Sequence, residues 1–211
     1  IIFTPIAVGG PSIDFHAFVT DYSDTYESSW SREDTYGRMD SLQAFTGTKR
    51  VISLSWQTVA ASHKEAVANL LKVQKLVQTL YPPYNSITDK ISAIAGSPLV
   101  KLKFMNLIQD ANTGGGLLGS LDGLTATPDF EAGSFHKEGE DRIYPQVINL
   151  DCTFHPLHEH LLGWKNKKFA KSSFPYAAGG IEAPPKEVNE ETGKDPKAPE
   201  HVKNANQDKV L

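Results

Sequence analysis

The chain has 211 residues, a formal net charge of −4 and a pI near 6.0, so it is long enough for one domain with a substantial core. The acidic balance argues against a basic nucleic-acid binder that neutralises many phosphates. With 39% hydrophobic and 22% charged residues the composition is that of an ordinary globular protein, and no apolar run approaches the roughly 20 residues of a membrane span.

The start of the sequence and its cysteine content give two further expectations. Because the sequence begins with Ile1 rather than Met, we expect a longer or processed chain, and residues 1–7 lack the length and the basic start of a signal peptide. Residues 1–14 are interpreted as an N-terminal extension of a domain that covers residues 15–173. The single cysteine, Cys152, excludes an internal disulfide, which fits a reducing cytoplasm.

The first part of the domain predicts a strand followed by irregular chain. Phe15–Thr20 has the composition of a strand, and the polar run Asp21–Ser29 is interpreted as a loop. Gly37, with Asp40 and Ser41 after it, indicates a further irregular stretch. The segment between residues 21 and 40 is therefore expected to be an excursion from the sheet, rich in aromatic side chains.

A hairpin is predicted next. A short strand at Leu42–Phe45 and a turn at Thr46–Thr48 lead into the clearest strand of the sequence, Arg50–Val59. The apolar side chains of that strand fall on every second residue, as in a half-buried strand: Ile52, Leu54 and Trp56.

One helix is predicted over residues 62–81. Ser62 is expected to be the N-cap, with Glu65 completing a capping box, and the prolines after Tyr81 end the helix. Apolar residues recur at spacings of four and three: Ala66, Leu70, Val73, Val77 and Leu80. Leu71 falls outside this stripe, so it is either an ordinary exposed leucine or a contact for a partner.

More strands follow the helix. Val100–Phe104 alternates apolar residues with lysines, and Asn112–Gly116 reads as a loop. Leu117–Leu124 is interpreted as a strand and turn around Asp122-Gly123, and Ile148–Phe154 as a strand with Cys152 on its apolar face. The predicted fold class is therefore α+β: a mostly antiparallel β-sandwich or barrel, one main packed helix and an extended C-terminal arm.

The arm comprises residues 174–211. From residue 181 onward it is rich in Pro, Glu, Lys and Asn and contains too few apolar side chains to offset its own ordering entropy. It is interpreted either as an ordinary packed terminus or, preferably, as an arm that lies on a neighbouring subunit. Deleting the residues after Gly180 is then expected to leave the fold intact and to weaken assembly.

Candidate catalytic and metal sites are weak. Cys152, His155, His158 and His160 offer zinc ligands, but Cys152 lies on an apolar strand face and the histidines lack metalloprotease spacing. We therefore expect no metal or other cofactor. The other candidates are less specific: the glycines 114–116 without a Gly-Lys-Ser/Thr ending, and the carboxylates Asp21, Asp24, Glu33 and Asp34 without a marked pair.

Many short segments in a fixed order resemble tail tube and baseplate-associated proteins of contractile-tailed bacteriophages. Together they span about Phe15 to Trp164. The segments are Trp30, Tyr36–Asp40, Thr48–Leu54, Glu65-Ala66 with Asn69, Tyr81-Pro82 with Tyr84, Ser97–Leu99, Gly116–Gly119, Tyr144-Pro145, Leu157–Glu159 and Leu162-Gly163.

The resemblance implies a virion structural protein without enzymatic activity, assembled in the host cytoplasm. Such a protein sits at the tube–baseplate junction or in the baseplate and forms a ring, expected to be hexameric, around the channel through which DNA passes. Its partners are other copies of itself and neighbouring tail proteins. The expected contact residues are Trp30, Tyr36, Arg38 and Leu71, because Trp, Tyr and Arg are typical interface anchors. The alternatives are that Asp21–Tyr36 is an ordinary surface loop and that Trp30 is a core residue.

Two other functions remain open on the sequence alone. One is a carbohydrate- or peptidoglycan-binding module, in which Trp30, Tyr36 and Trp56 would form a stacking platform. The other is a zinc hydrolase built on Cys152 and the neighbouring histidines.

Overall fold

The computed structural model describes residues 1–6, 9–88, 91–136, 139, 141–170 and 173–180. The elements in chain order are β1 (Ile2–Pro5), β2 (Ile13–Asp14), β3 (Phe18–Glu33), β4 (Leu42–Val59), α1 (His63–Gln78), β5 (Tyr84–Thr88), β6 (Ile91–Ile94), β7 (Leu99–Lys103), β8 (Leu117–His136), β9 (Ile143–Pro156), β10 (Trp164–Lys165) and β11 (Lys168–Phe169).

Seven strands form one antiparallel sheet in the order β2-β1-β7-β8-β9-β4-β3. Two small hairpins, β5–β6 and β10–β11, stand apart from it. With α1 as the one helix among the described residues, the predicted mostly antiparallel α+β fold is confirmed. None of the helices in the described part of the chain has the length and apolarity needed to cross a membrane.

The sheet curls strongly around its core. Phe3 of β1 and Trp56 of β4 are four strand spacings apart, about 19 Å in a flat sheet, yet their ring centroids lie 5.7 Å apart. At the other edge, the Tyr22 ring of β3 is 6.5 Å from Phe104, which follows β7, and its hydroxyl donates to the Leu107 carbonyl at 3.4 Å. The strands thus wrap towards a barrel whose interior is closed by aromatic side chains.

Residues 1–14 belong to this domain and are not an extension of it. β1 pairs with β7 along its length, and Phe3 is completely buried in the core. Ile13 of β2 and Phe15 just after it are buried as well. The prediction of a separate N-terminal segment missed these strands because β1 and β2 are too short to show a period.

The helix begins as predicted and ends earlier. The Ser62 side chain accepts a hydrogen bond from the Glu65 amide at 3.3 Å, while the Glu65 carboxylate accepts one from the Ala61 amide at 2.8 Å. The last helical residue is Gln78, not residue 81. The buried positions of α1 are Ala66, Val73 and Leu76.

Leu76 takes the place predicted for Val77. Leu76 is fully buried, whereas Val77 is 36% exposed. At 3.6 residues per turn Val77 lies about 40° to one side of Val73 and Leu76 about 60° to the other, so the buried face of α1 is turned towards the Leu76 side of the stripe. The predicted stripe therefore contains the buried residues Ala66 and Val73, but at this turn the buried residue is Leu76 rather than Val77.

Three local predictions are corrected by the strand pairing. The polar run Asp21–Ser29 is not a loop, because β3 continues to Glu33 in register with β4. Thr46–Thr48 is not a turn, since β4 runs unbroken from Leu42 to Val59 and carries only a bulge there. Asp122-Gly123 likewise forms a bulge within β8, where the pairing with β9 shifts between Leu121 and Leu124.

The alternating strands are confirmed. In β4 the side chains of Ile52, Leu54 and Trp56 are buried, and in β9 those of Leu150 and Phe154. Of the predicted C-terminal arm, residues 174–180 pack on the domain, and residues 181–211 lie outside the described residues.

Candidate subunit-contact surface

The β3–β4 hairpin projects beyond the rest of the sheet. β4 pairs with β9 only from Ile52 to Val59 and pairs with β3 as far as Leu42. We call the projecting part, Thr25–Glu33 with Leu42–Val51, the ribbon. Nine strand residues span about 30 Å, so the ribbon is as long as a small domain is wide.

The ribbon exposes large apolar side chains. Trp30 and Phe45 face each other across the two strands with ring centroids 5.2 Å apart, and they are 54% and 56% exposed. Leu42 is exposed near them. A two-stranded ribbon is only marginally stable in water without a surface against which to pack. In the single chain, therefore, these apolar side chains have no surface of the described domain against which to pack.

The tip of the ribbon places two of the predicted contact residues in solvent. Tyr36 is fully exposed, and so is Met39 nearby. Arg38 is also exposed, and its amide donates to the Thr35 carbonyl at 3.2 Å. Tyr36, Arg38 and Trp30 thus belong to one hairpin, whereas the sequence predicted an irregular excursion for residues 21–40.

Leu71 belongs to a different surface. It is 50% exposed on α1, and α1 packs against β2, β8 and β9 rather than against the ribbon. Its exposed helical neighbours are polar, including Gln74 and Lys75. The structure therefore does not bring Leu71 together with Trp30, Tyr36 and Arg38.

A buried ion pair lies at the root of the ribbon. Arg50 donates from Nε to Asp24 Oδ1 at 2.9 Å and from Nη2 to Oδ2 at 2.7 Å, and the two side chains are 3% and 2% exposed. The Tyr26 hydroxyl donates to the same carboxylate at 3.0 Å, and the Tyr22 hydroxyl lies 3.3 Å from it. Burial would raise the pKa of Asp24, but the hydrogen bonds and charge of Arg50 outweigh it and the pKa lies below its usual value.

The segment Ser173–Gly180, which we call the strap, covers this ion pair. The Arg50 guanidinium lies 5.5 Å from the centre of the Phe174 ring and 5.3 Å from that of Tyr26. Within the described residues Arg50 Nη1 has no hydrogen-bond partner. The two aromatic faces therefore provide the remaining stabilisation of the cation.

The outer face of the sheet is polar and carries no cations at its centre. Cross-strand neighbours there form three rows: Ser23, Ser53 and Thr153; Asp21, Ser55, Asp151 and Thr125; Phe18, Gln57, Asn149 and Thr127. These side chains alternate with the buried ones of the same strands. Apart from the exposed Phe18 at the β3 edge, the rows contain hydroxyls, amides and carboxylates and neither Lys nor Arg. Such a surface offers no cation to phosphates.

The predicted zinc ligands do not converge. Cys152 is buried in the core, which raises the pKa of its thiol to about 12, and His155 points to the opposite face, 3.3 Å from Asp122. His160 lies 3.2 Å from Asp110, while His158 packs on Phe174. Among the described residues no three His, Cys, Asp or Glu side chains are grouped as metal ligands.

The other sequence candidates are also separated by the fold. Trp56 is 1% exposed inside the core, so it forms no platform with Trp30 and Tyr36. The glycines 114–116 lie in a tight turn, in which the Asp110 amide donates to the Gly115 carbonyl at 3.0 Å, and no helix begins there. Of the four acidic residues considered for catalysis, Asp24 is neutralised by Arg50.

Sequence reasoning missed the ion pair and the strap. One signal was present: Arg50 is in phase with Ile52, Leu54 and Trp56, which places it on the buried face of its strand. Comparison of the sequence with protein-family models and with curated proteins found no match.

Proposed function

We propose that this chain is a non-enzymatic structural protein of a phage tail, located at the tube–baseplate junction or in the baseplate, which assembles into a ring around the DNA channel. The observation that carries the proposal is the ribbon. It projects from the domain with Trp30 and Phe45 exposed, and among the described strands none pairs with residues 42–51 of β4 except β3. The resemblance in sequence favours the same function.

A closed ring needs two different patches on each copy, one meeting the other on the next subunit. The ribbon supplies one patch, and the exposed face of α1 around Leu71 lies on a different part of the domain and offers a second. One ligand could not contact both surfaces, because they lie on different parts of the domain. Two separate surfaces are what a head-to-tail contact between neighbouring copies requires. We expect six copies in the ring.

The polar outer face of the sheet suits the channel wall. DNA carries a dense row of phosphates, so a wall with lysines or arginines would retard it. The three rows described above present carboxylates such as Asp21 and Asp151 among hydroxyls and amides. We infer that this face is turned towards the channel and that the ribbon reaches a neighbouring subunit or tail protein.

Sedimentation velocity and negative-stain microscopy of the full chain test the proposal. We expect ring-shaped oligomers from the natural sequence and monomers from the double variant Trp30→Ala, Phe45→Ala. Loss of an interface hot spot weakens association by about 2 kcal/mol or more, roughly thirtyfold. The side chains of Trp30 and Phe45 are more than half exposed in the single chain. Their removal should therefore change the free energy of unfolding far less than the free energy of association.

Phe130→Ala is the matched control, because Phe130 is 60% exposed on β8, away from the ribbon. Its oligomers should match those of the natural sequence. Equal assembly by the ribbon variant and the control would contradict the ribbon as the contact. Unfolding of the ribbon variant would instead show that Trp30 and Phe45 stabilise the fold.

A further inference from the structure

The strap contacts the root of the ribbon on one side. Phe174 stacks over the Arg50 guanidinium and lies edge-on to Tyr26, with ring centroids 6.2 Å apart. The hydroxyl of Tyr176 lies near the Asp24 carboxylate. Asp24 lies opposite Ile52, the last residue of β4 that pairs with β9, and Tyr26 lies opposite Arg50 two residues further out.

On its other side the strap is bound to the body of the domain. Ser173, itself buried, donates from its hydroxyl to the Ala111 carbonyl at 2.6 Å, and the Asn106 amide group donates to the Tyr176 carbonyl at 3.2 Å. The Phe174 ring also packs edge-on to His158 at 5.7 Å. The strap therefore bridges the loop after β7, the end of β9 and the ribbon.

We propose that the strap is a conformational coupling element that sets the orientation and order of the ribbon. When seated, it covers the Asp24–Arg50 pair and holds the ribbon root against the domain. When lifted, it leaves Arg50 with one aromatic face instead of two and admits water to the ion pair, so the ribbon can hinge where β4 leaves β9, at Ile52. Its consequence for assembly rests on the proposed role of the ribbon, whereas the coupling is a property of the single chain.

This arrangement gives the C-terminal end of the chain control over the candidate contact surface. The chain continues from Gly180 into residues 181–211, so a neighbouring subunit that binds this part of the sequence would act on the strap. A ribbon whose order depends on the strap would then be presented in its assembly-competent orientation only while the strap is seated. The sequence predicts the ribbon residues and the C-terminal arm as two independent contacts, and the strap would connect them.

Hydrogen exchange measured by mass spectrometry on the full chain tests the coupling, because exchange rates report local opening. For Phe174→Ala we expect amides in Tyr26–Glu33 and Leu42–Arg50 to exchange at least about tenfold faster, the factor given by about 1.4 kcal/mol of lost contacts. Amides in β7 should keep their rates. Phe130→Ala is the control for removal of a phenylalanine ring and should leave the ribbon unchanged.

Unchanged exchange in the ribbon of Phe174→Ala would overturn the proposal. If that variant unfolds as a whole, Asn106→Ala decides, because it removes only an exposed side chain whose amide group donates to the Tyr176 carbonyl and holds the strap to the domain. It should speed exchange in the same ribbon peptides several-fold, and equal rates would overturn the coupling. A strap variant whose ribbon amides exchange faster in the monomer is then compared with the natural sequence for ring formation. If it forms rings equally well, the coupling stands and the role of the ribbon in assembly is contradicted.

Discussion

Asp24 and Arg50 face each other from two long strands, and neither side chain has appreciable contact with solvent. Asp24→Asn keeps the shape of the side chain but leaves the Arg50 cation buried without its counter-ion. Removing one member of a buried pair costs about 3–5 kcal/mol, so we expect the free energy of unfolding, measured with urea, to fall by about that amount. The double variant Asp24→Leu, Arg50→Met removes both charges and should lose less; a larger loss would show that packing dominates.

The same residue predicts a pH dependence. The pKa of Asp24 in the folded chain lies below its ordinary value of 3.8, because Arg50 outweighs the effect of burial. The stabilisation is therefore fully present above about pH 3.8 and is lost as the pH falls through the folded pKa, since the unfolded chain binds the proton first. The difference in unfolding free energy between the natural sequence and Asp24→Asn should be constant from neutral pH down to this window and shrink below it. A difference that shrinks already near neutral pH would point to another group.

At the scale of residues, the sequence indicates that Arg50 is buried but does not identify Asp24 as its partner. The alternation in β4 places Arg50 on the buried face, but its partner lies 26 residues away on the neighbouring strand. That register depends on the length of β3 and on a bulge at Thr46, where Trp30 pairs with Phe45 directly after Ser29 pairs with Gly47. Neither follows from a local pattern, so Asp24 reads as one more acidic residue in a polar run.

At the scale of elements, periodicity predicts the strands whose two faces differ and fails for the ribbon. β9 was predicted correctly because buried and exposed residues alternate along it. In β3 nearly every residue is exposed, so its Ser, Thr and Tyr residues show no apolar period and read as a loop. A strand that is exposed on both faces is held by its hydrogen-bonded partner strand, and local sequence does not encode that pairing.

The N-terminus of α1 provides an element-scale prediction. Ser62→Ala removes the side chain that accepts a hydrogen bond from the Glu65 amide. Loss of an N-cap costs about 1 kcal/mol, so the free energy of unfolding should decrease by that amount. Ser31→Ala, at an exposed position of the ribbon, is the matched control and should change it by less than about 0.5 kcal/mol. Equal changes in the two variants would show that the cap does not stabilise the helix.

At the scale of the whole molecule, the composition and the order of the elements predict a mostly antiparallel fold with one packed helix. They do not predict how far the sheet curls. That curl follows from contacts such as Phe3 with Trp56, which join residues 53 positions apart and bury β1 where the sequence suggested an extension. The strap is missed for a related reason: its short aromatic run matters only because the fold brings it over Arg50.

The curled sheet also gives the last prediction, which concerns the face proposed to line the channel. Ser53→Lys with Thr125→Lys adds two cations per copy to that face, and Gln74→Lys with Gln78→Lys adds the same charge to the exposed side of α1. If the outer face surrounds the channel, the first pair converges on one axis in the assembled ring. We then expect these rings to bind duplex DNA in a fluorescence anisotropy titration, with an affinity that falls steeply as salt rises. The helix variant should bind far more weakly, because its charges are spread over the outside of the ring. Equal binding by the two variants would contradict the orientation of the sheet towards the channel while leaving ring formation itself in place.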